Sequence, residues 1–448
     1  MALGFQEYRH DIRSMLRMAV PLAFAELGWM SMSVVDSIMV GRLPNSAVAI
    51  GATSIGSGLF YSFAIFGVGL MSGLDTLVSQ AYGADDWPEA RRSLISGVAL
   101  ALCVAPFLMA LILGVGPLLG VIGVQSPVRE EAIGFARVLV WSLPLLLIYT
   151  TFRRYLQGIH FVKPVTFALI TSNLVNVFGN WILIYGNWGA PAMGVRGSAL
   201  ATGIARFYLA AVLLIAVRLR DPGAFHGARP DLSRIVRLLK LGFPAALTIG
   251  FEVGVFNTVT AIAGKLDPIS LAAHAIALNA ASVTYMVPLG IASAAAVSVG
   301  KQLGAKNRTR AARAGWTALG VAALFELGAA ALFVFLPRQI ARTYTHDQQV
   351  ISLSLKLLRV AAIFQLFDGL QVVATGALRG AGDTRTAMVW NLAGYWAVGL
   401  PLGCWLCFVI GWGVTGLWWG LCLALVVIGA ALVKVWHNEA NRICAKVT

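Results

Sequence analysis

Charge is scarce in this chain. Only 12% of its 448 residues are charged, against 58% hydrophobic, and acids are rarer than bases, 19 against 34. Apolar stretches of membrane-spanning length recur from end to end, which marks a polytopic membrane protein. Cysteine is also rare. Cys103, Cys404, Cys407, Cys422 and Cys444 fall in or beside apolar segments with no accompanying His or second Cys pair, so packing is expected of them rather than redox or zinc chemistry. The six histidines are scattered, and HExxH, GxSxG and Walker-loop patterns are missing. That removes the usual starting points for an intramembrane enzyme, and neither catalysis nor a cofactor is expected.

The surplus of bases gives a formal net charge of +15. Basic proteins often bind nucleic acid, but here Lys and Arg lie in short connections between apolar runs, where they serve topology. No nucleic-acid partner is expected. With the N-terminus inside, most of the basic residues fall in cytoplasmic segments, so both termini are expected to face the cytoplasm. Arg9, Arg13 and Arg17 precede an apolar run from Met18 to Gly41 that superficially resembles a secretory signal. The run is too long for one, no small-residue cleavage site follows, and Asp36 lies inside it; it reads as the first transmembrane helix.

Apolar runs of about 20 residues between polar breaks place twelve helices, near 15–40, 47–77, 93–113, 131–151, 163–185, 193–217, 239–263, 269–299, 314–336, 350–376, 386–410 and 413–436. The chain also repeats itself at half its length. Pro21 matches Pro244, Gly41 matches Gly264, Gly83-Ala84 matches Gly304-Ala305, Leu156-x-Gly158 matches Leu378-x-Gly380, and Gly194-Val195-x-Gly197 matches Gly413-Val414-x-Gly416. Six helices per copy is an even number, so both copies run in the same direction. The expected fold is an all-α polytopic membrane protein of two six-helix bundles, related by a pseudo-twofold axis along the membrane normal and facing each other across a central cavity. Residues 1–220 form the N-lobe and 239–448 the C-lobe. The segment 221–238, with Asp221-Pro222-Gly223 and Arg229-Pro230, is a cytoplasmic linker.

The acids do not follow the repeat. The positions matching Asp36, Glu252 and Asp368 are Val259, Trp29 and Leu146. An ionised carboxylate at bilayer depth costs roughly 2.5 to 3.5 kcal/mol on insertion scales, so such residues line cavities and act there by default. Glu252, Tyr285 and Asp368 each lie near the centre of a different C-lobe helix, and together offer oxygens for a proton or a small hard cation such as Na+. In the N-lobe, Asp36, Asn176, Asn180 and Thr202 form a second oxygen-rich set, with Asn176 and Asn180 on one helical face. That set suits Na+ or a proton-switched hydrogen-bond network. Glu26 and Glu326 are further intramembrane acids without assignable neighbours, and Asp75 stands towards the inner end of its helix, where a gating role is open to it.

These residues bring a family into view. The stretch Val35-Asp36-Ser37-Ile38-Met39-Val40-Gly41-Arg42-Leu43 is similar to the opening motif of the multidrug and toxic compound extrusion (MATE) transporters. Further likeness lies in Asp75-Thr76-Leu77 with Gln80-Ala81-Tyr82-Gly83, in Leu378-Arg379-Gly380-Ala381-Gly382-Asp383-Thr384, and in Glu252, Tyr285 and Asp368. The whole chain resembles that family, in particular its NorM-like branch. The resemblance implies a monomeric secondary antiporter in a bacterial cytoplasmic membrane. It would export organic cations and amphiphilic drugs from the cell in exchange for Na+ or H+, as its two bundles open alternately to either side. It also implies a C-lobe cation site at Glu252, Tyr285 and Asp368 and an N-lobe site at Asp36, Asn176, Asn180 and Thr202. Asn180 departs from the archaeal and DinF-like pattern, which carries a second acid there. A lipid-linked oligosaccharide flippase with related helices is the alternative; it would favour a cationic cavity, and the central acids argue the other way. The major facilitator class fits poorly, since Gly83-Ala84-Asp85-Asp86-Trp87-Pro88 lacks its loop pattern.

Overall fold

The computed structural model describes residues 2–120, 126–226 and 229–445, and among these there is no strand. In chain order the helices are α1 (Ala2–Val40), α2 (Ser46–Met71), α3 (Gly73–Gly83), α4 (Trp87–Val115), α5 (Ser126–Val140), α6 (Leu143–Gly158), α7 (Lys163–Leu183) and α8 (Val195–Arg220). The second half continues with α9 (Leu232–Leu266), α10 (Pro268–Gly304), α11 (Arg308–Phe335), α12 (Pro337–Arg342), α13 (Gln348–Ala381), α14 (Arg385–Asn391), α15 (Leu400–Phe408) and α16 (Val414–Ala445). Among the described residues, ten helical stretches are long and apolar enough to cross a membrane, with α2 and α3 counted as one.

Two of the twelve expected spans are not simple helices. The run at 131–151 is the pair α5 and α6, bent by 49°. Pro144 stands in the first turn of α6, where its missing N–H does no harm but its ring disfavours continuation of the preceding helix. Ser142 Oγ donates to the Leu139 carbonyl at 2.6 Å, which satisfies an acceptor exposed by the break. The run at 386–410 is helical throughout 385–408, but its middle, Leu392–Gly399, is π-helical.

Helix ends show why the sequence breaks where it does. Asp86 accepts a hydrogen bond from Glu89 N ahead of α4, and Asn307 accepts from Arg310 N ahead of α11; each satisfies a donor that the first helical turn leaves open. Just before these caps, Asp85 (φ 56°) and Lys306 (φ 57°) are left-handed. The same recurrence links His160 (φ 60°) with Gly382 (φ 93°) and Gly194 (φ 56°) with Gly413 (φ 57°). The repeat read from sequence is therefore a repeat of turns as well.

Packing divides the chain elsewhere than at 220 and 238. One unit, here the N-unit, is Phe24–Ala246, and the other, the C-unit, is Met1–Ala23 with Leu247–Thr448. Each division falls inside a helix, in α1 and in α9, two residues after the matched prolines Pro21 and Pro244. Close backbone approaches explain the assignment. Within the C-unit, a Cβ at Gly290 of α10 would stand 2.5 Å from Ala23 N; within the N-unit, a Cβ at Gly69 of α2 would stand 2.5 Å from Ala246 Cα. Hydrogen in place of a methyl lets the first part of α1 seat on α10, and the first part of α9 on α2.

At the end of α8, Asp221 receives Arg91 Nη2 at 2.6 Å and Nε at 3.0 Å, and the Tyr155 hydroxyl donates to it at 2.7 Å. Burial works to raise the Asp221 carboxyl, but these hydrogen bonds and the Arg91 charge outweigh it and hold the group below its ordinary range. A lowered acid contributes stability that is complete above the ordinary carboxylate range and is lost as pH falls through the lowered range. Asp221→Asn should therefore lower the melting temperature of the purified protein at neutral pH and flatten its decline towards acid; an unchanged acid limb would remove Asp221 from this role. Gly290→Val should cost at least about 1–3 kcal/mol through overpacking, read as a lower melting temperature in detergent. Gly320→Ala, where an added Cβ meets nothing within 4 Å, should not.

Candidate functional site

In the C-unit, Glu252 comes from α9, Tyr285 from α10 and Asp368 from α13. The structure brings the three together: the Tyr285 hydroxyl lies beside the Glu252 carboxyl, and the two carboxyls are electrostatic neighbours. Asp368 is 7% exposed, while Glu252 and Tyr285 are half-buried. Among the described residues no Lys or Arg pairs with either acid. Three other buried acids are paired: Glu26 with Arg153, Asp75 with Arg154 at 3.0 Å, and Asp221 with Arg91. The two C-unit acids thus lack the permanent counter-charge that these others have.

A second ring around this cluster escaped the sequence reading. Tyr395, on the π-helical stretch, is an electrostatic neighbour of both Glu252 and Asp368. Its hydroxyl donates to Gln371 Oε1 at 3.0 Å, and Gln371 Nε2 donates to Asn391 Oδ1 at 3.0 Å. The Trp396 indole donates to the Phe251 carbonyl at 3.1 Å, next to Glu252 in the chain. A π turn holds more residues than an α turn and redirects the side chains around it, which is why such segments gather at functional sites. Helical spacing offered a signal, since Gln371 follows Asp368 by three residues and Tyr395 follows Asn391 by four. Glu326, noted from sequence without assignable neighbours, joins this ring. It is fully buried on α11, with its Cγ 2.4 Å from where a Gly369 Cβ would be, and it is an electrostatic neighbour of Asp368.

In the N-unit, Asp36 of α1 is held by α7 and α8. Asn180 Nδ2 donates to Asp36 Oδ1 at 2.6 Å, and Thr202 Oγ1 donates to Oδ2 at 3.0 Å. Asn180 Nδ2 also donates to Asn176 Oδ1 at 3.2 Å, and Asn176 Nδ2 to Thr202 Oγ1 at 3.4 Å. All four sequence-derived residues are buried and connected. A cavity of about 290 Å³ opens beside them, with Asp36, Thr202, Trp29, Tyr61 and Arg206 among its walls. Arg206 was not singled out from sequence. Its position one turn after Thr202, inside an apolar helix, was the available sign.

The MatE family model matches this chain twice, over residues 21–182 and 244–405, a spacing of 223 residues at both ends. The probable multidrug resistance protein NorM of Mesorhizobium japonicum is 34% identical over 442 residues, spanning 96% of this chain and 94% of its own. A protein of the same description from Pseudomonas aeruginosa is 33% identical, spanning 98% and 91%. Among solved structures, the eukaryotic MATE transporter AtDTX14 superposes with a TM-score of 0.88 over 98% of this chain and all of its own, at 22% identity. An outward-facing multidrug resistance MATE family transporter superposes with 0.87 over 97% of each chain, at 18% identity. These two likenesses concern the fold.

Replacing Asn180 with Ala removes a donor from a buried carboxylate, a loss worth about 1.5–3 kcal/mol for a hydrogen bond to a charged group. The expected result is a lower melting temperature for Asn180→Ala, measured in detergent near neutral pH. Melting at the wild-type temperature would contradict the geometry around Asp36.

Proposed function

The chain belongs to the MatE family, a family of transporters, and on that premise we propose that it is a secondary multidrug efflux antiporter that exports organic cations and amphiphilic drugs in exchange for Na+ or H+. The observation that carries this reading is the Glu252–Tyr285–Asp368 cluster, buried or half-buried in the C-unit and without a basic partner among the described residues. Carboxylates held permanently by arginine cannot release one cation and take another. These two can.

When the cluster is exposed to the outside, Na+ or H+ occupies the carboxyls and weakens their hold on a cationic cargo, which leaves. The loaded protein then turns to the cytoplasm, gives up the ion, and the re-charged carboxylates take new cargo. A ligand shifts a two-state equilibrium only through a difference in affinity between the states, so the ion must prefer one state over the other. Tyr285 and Tyr395 supply hydroxyls that follow this change without carrying charge of their own. Asp36 with Asn176, Asn180 and Thr202 is the second cation site of the same cycle. Asp75, fully buried and bonded to Arg154, ties α3 to α6 and acts as a latch of the N-unit rather than as an ion carrier. The work needs no cofactor and no catalytic group.

The test is ethidium uptake by purified protein in liposomes, with sodium and pH gradients imposed separately. Glu252→Gln and Asp368→Asn should reduce gradient-driven uptake to that of protein-free liposomes, while both variants remain folded and inserted. Wild-type rates in the two variants would overturn the assignment, and the gradient that drives the wild-type protein identifies the ion.

A further inference from the structure

The cavity of the N-unit contains a second charge that the antiport reading does not use. Arg206, on α8, is 1% exposed and lines the same cavity as Asp36. It sits one helical turn beyond Thr202, the residue that donates to Asp36. Yet among the described residues no carboxylate forms an ion pair with it. Its Nη1 donates to Ser142 Oγ at 2.6 Å and its Nη2 to the Tyr61 hydroxyl at 3.0 Å. The guanidinium carbon stands 4.5 Å from the Phe60 ring centroid and 5.7 Å from that of Tyr61.

This arrangement fixes a cation in place without neutralising it. Aromatic faces and neutral hydroxyls orient a guanidinium and soften its desolvation, but they add no negative charge. The two hydroxyl contacts employ two of the five N–H donors that a guanidinium carries. On the same cavity Asp36 is likewise held by neutral donors, Asn180 and Thr202. The site therefore presents a fixed negative and a fixed positive group that are electrostatic neighbours but not each other's partners. A ligand that carries only a cation meets Asp36 and is repelled by Arg206. One that carries a cation and, across an apolar body, an anionic oxygen meets both with matched signs.

The geometry points to Arg206 as a specificity-determining residue, which makes the N-unit cavity a binding site for amphiphiles that bear a carboxylate or similar anionic oxygen as well as a cationic group. This deepens the reading of the Asp36 cluster as a cation site and rests on it: Asp36 takes the cationic end, and Arg206 the anionic end by charge-assisted hydrogen bonds. The aromatic walls, Trp29 and Tyr61, cover the apolar body. The site needs no large movement of Arg206, because its hydroxyl contacts already hold the guanidinium at the wall.

A matched pair of dyes tests this. Rhodamine B carries a carboxylate beside its cationic ring system, and its ethyl ester carries the cation alone. Binding of each to purified wild-type protein is read from quenching of tryptophan fluorescence, and transport of each from uptake into proteoliposomes under one gradient. Wild-type protein should bind rhodamine B more tightly than the ester. Arg206→Gln should weaken rhodamine B by about tenfold or more, the worth of one charge-assisted hydrogen bond, and leave the ester unchanged or tighter. Asp36→Asn should weaken both. Equal affinity of the wild-type protein for the two dyes would overturn the proposal even if Arg206→Gln failed to fold, as would an equal loss for both dyes in that variant. Failure of the antiporter reading looks different: wild-type protein would then bind the dyes but move neither under any gradient.

Discussion

Charge in a hydrocarbon surrounding must be paired, hydrogen-bonded or exchanged, and the interior of this protein is organised by which of the three each acid receives. Glu26 and Asp75 have arginines. Asp36 has neutral donors from two helices. Glu252 and Asp368 have each other's company and the phenols of Tyr285 and Tyr395. Two like charges with no fixed counter-charge form the least settled of these arrangements, and an arriving cation or proton relieves it. The exchange proposed above needs such a place, and the rest of the molecule holds it in position.

The support is a doubled scaffold that is not doubled in its chemistry. Turn positions recur between the halves down to the left-handed residues at Asp85 and Lys306, and the MatE match recurs at the same spacing. The acids do not recur. Duplicated backbone supplies two similar frames, while unmatched polar residues make them chemically different. The proline-marked divisions of α1 and α9 belong to the frame, because Pro21 and Pro244 are themselves a matched pair. An interior proline leaves a helix short of one backbone hydrogen bond and allows it to bend.

Much of this was legible in the amino-acid sequence, for a physical reason. Burial in a bilayer demands long apolar segments and makes each interrupting acid conspicuous, so the helical segments and Asp36, Glu252 and Asp368 could be found by hydropathy alone. The Asn176–Asn180 pair followed from helical spacing. What stayed hidden depends on three-dimensional detail that hydropathy averages away. The bend between α5 and α6 lies within a segment that is apolar enough as a whole to read as one span. The π-helical stretch around Tyr395 has the hydropathy of an ordinary helix. Glu326 acquires meaning only because Gly369 leaves room for it beside Asp368. Arg206 drew no notice, because one arginine barely lowers the mean hydropathy of an apolar helix; its surroundings are rings and hydroxyls.

The central claim is that cargo and coupling ion contend for the same carboxylates, and thermodynamic linkage tests it without any membrane. Equilibrium binding of ethidium to the purified protein, measured over a range of sodium concentrations at fixed pH and over a range of pH at fixed sodium, gives the answer directly. The account predicts that affinity falls as the coupling ion rises, that this dependence weakens sharply when Glu252 and Asp368 are both replaced by their amides, and that it disappears when Asp36 is replaced by Asn as well. Affinity that ignores both sodium and pH in the wild-type protein would contradict it.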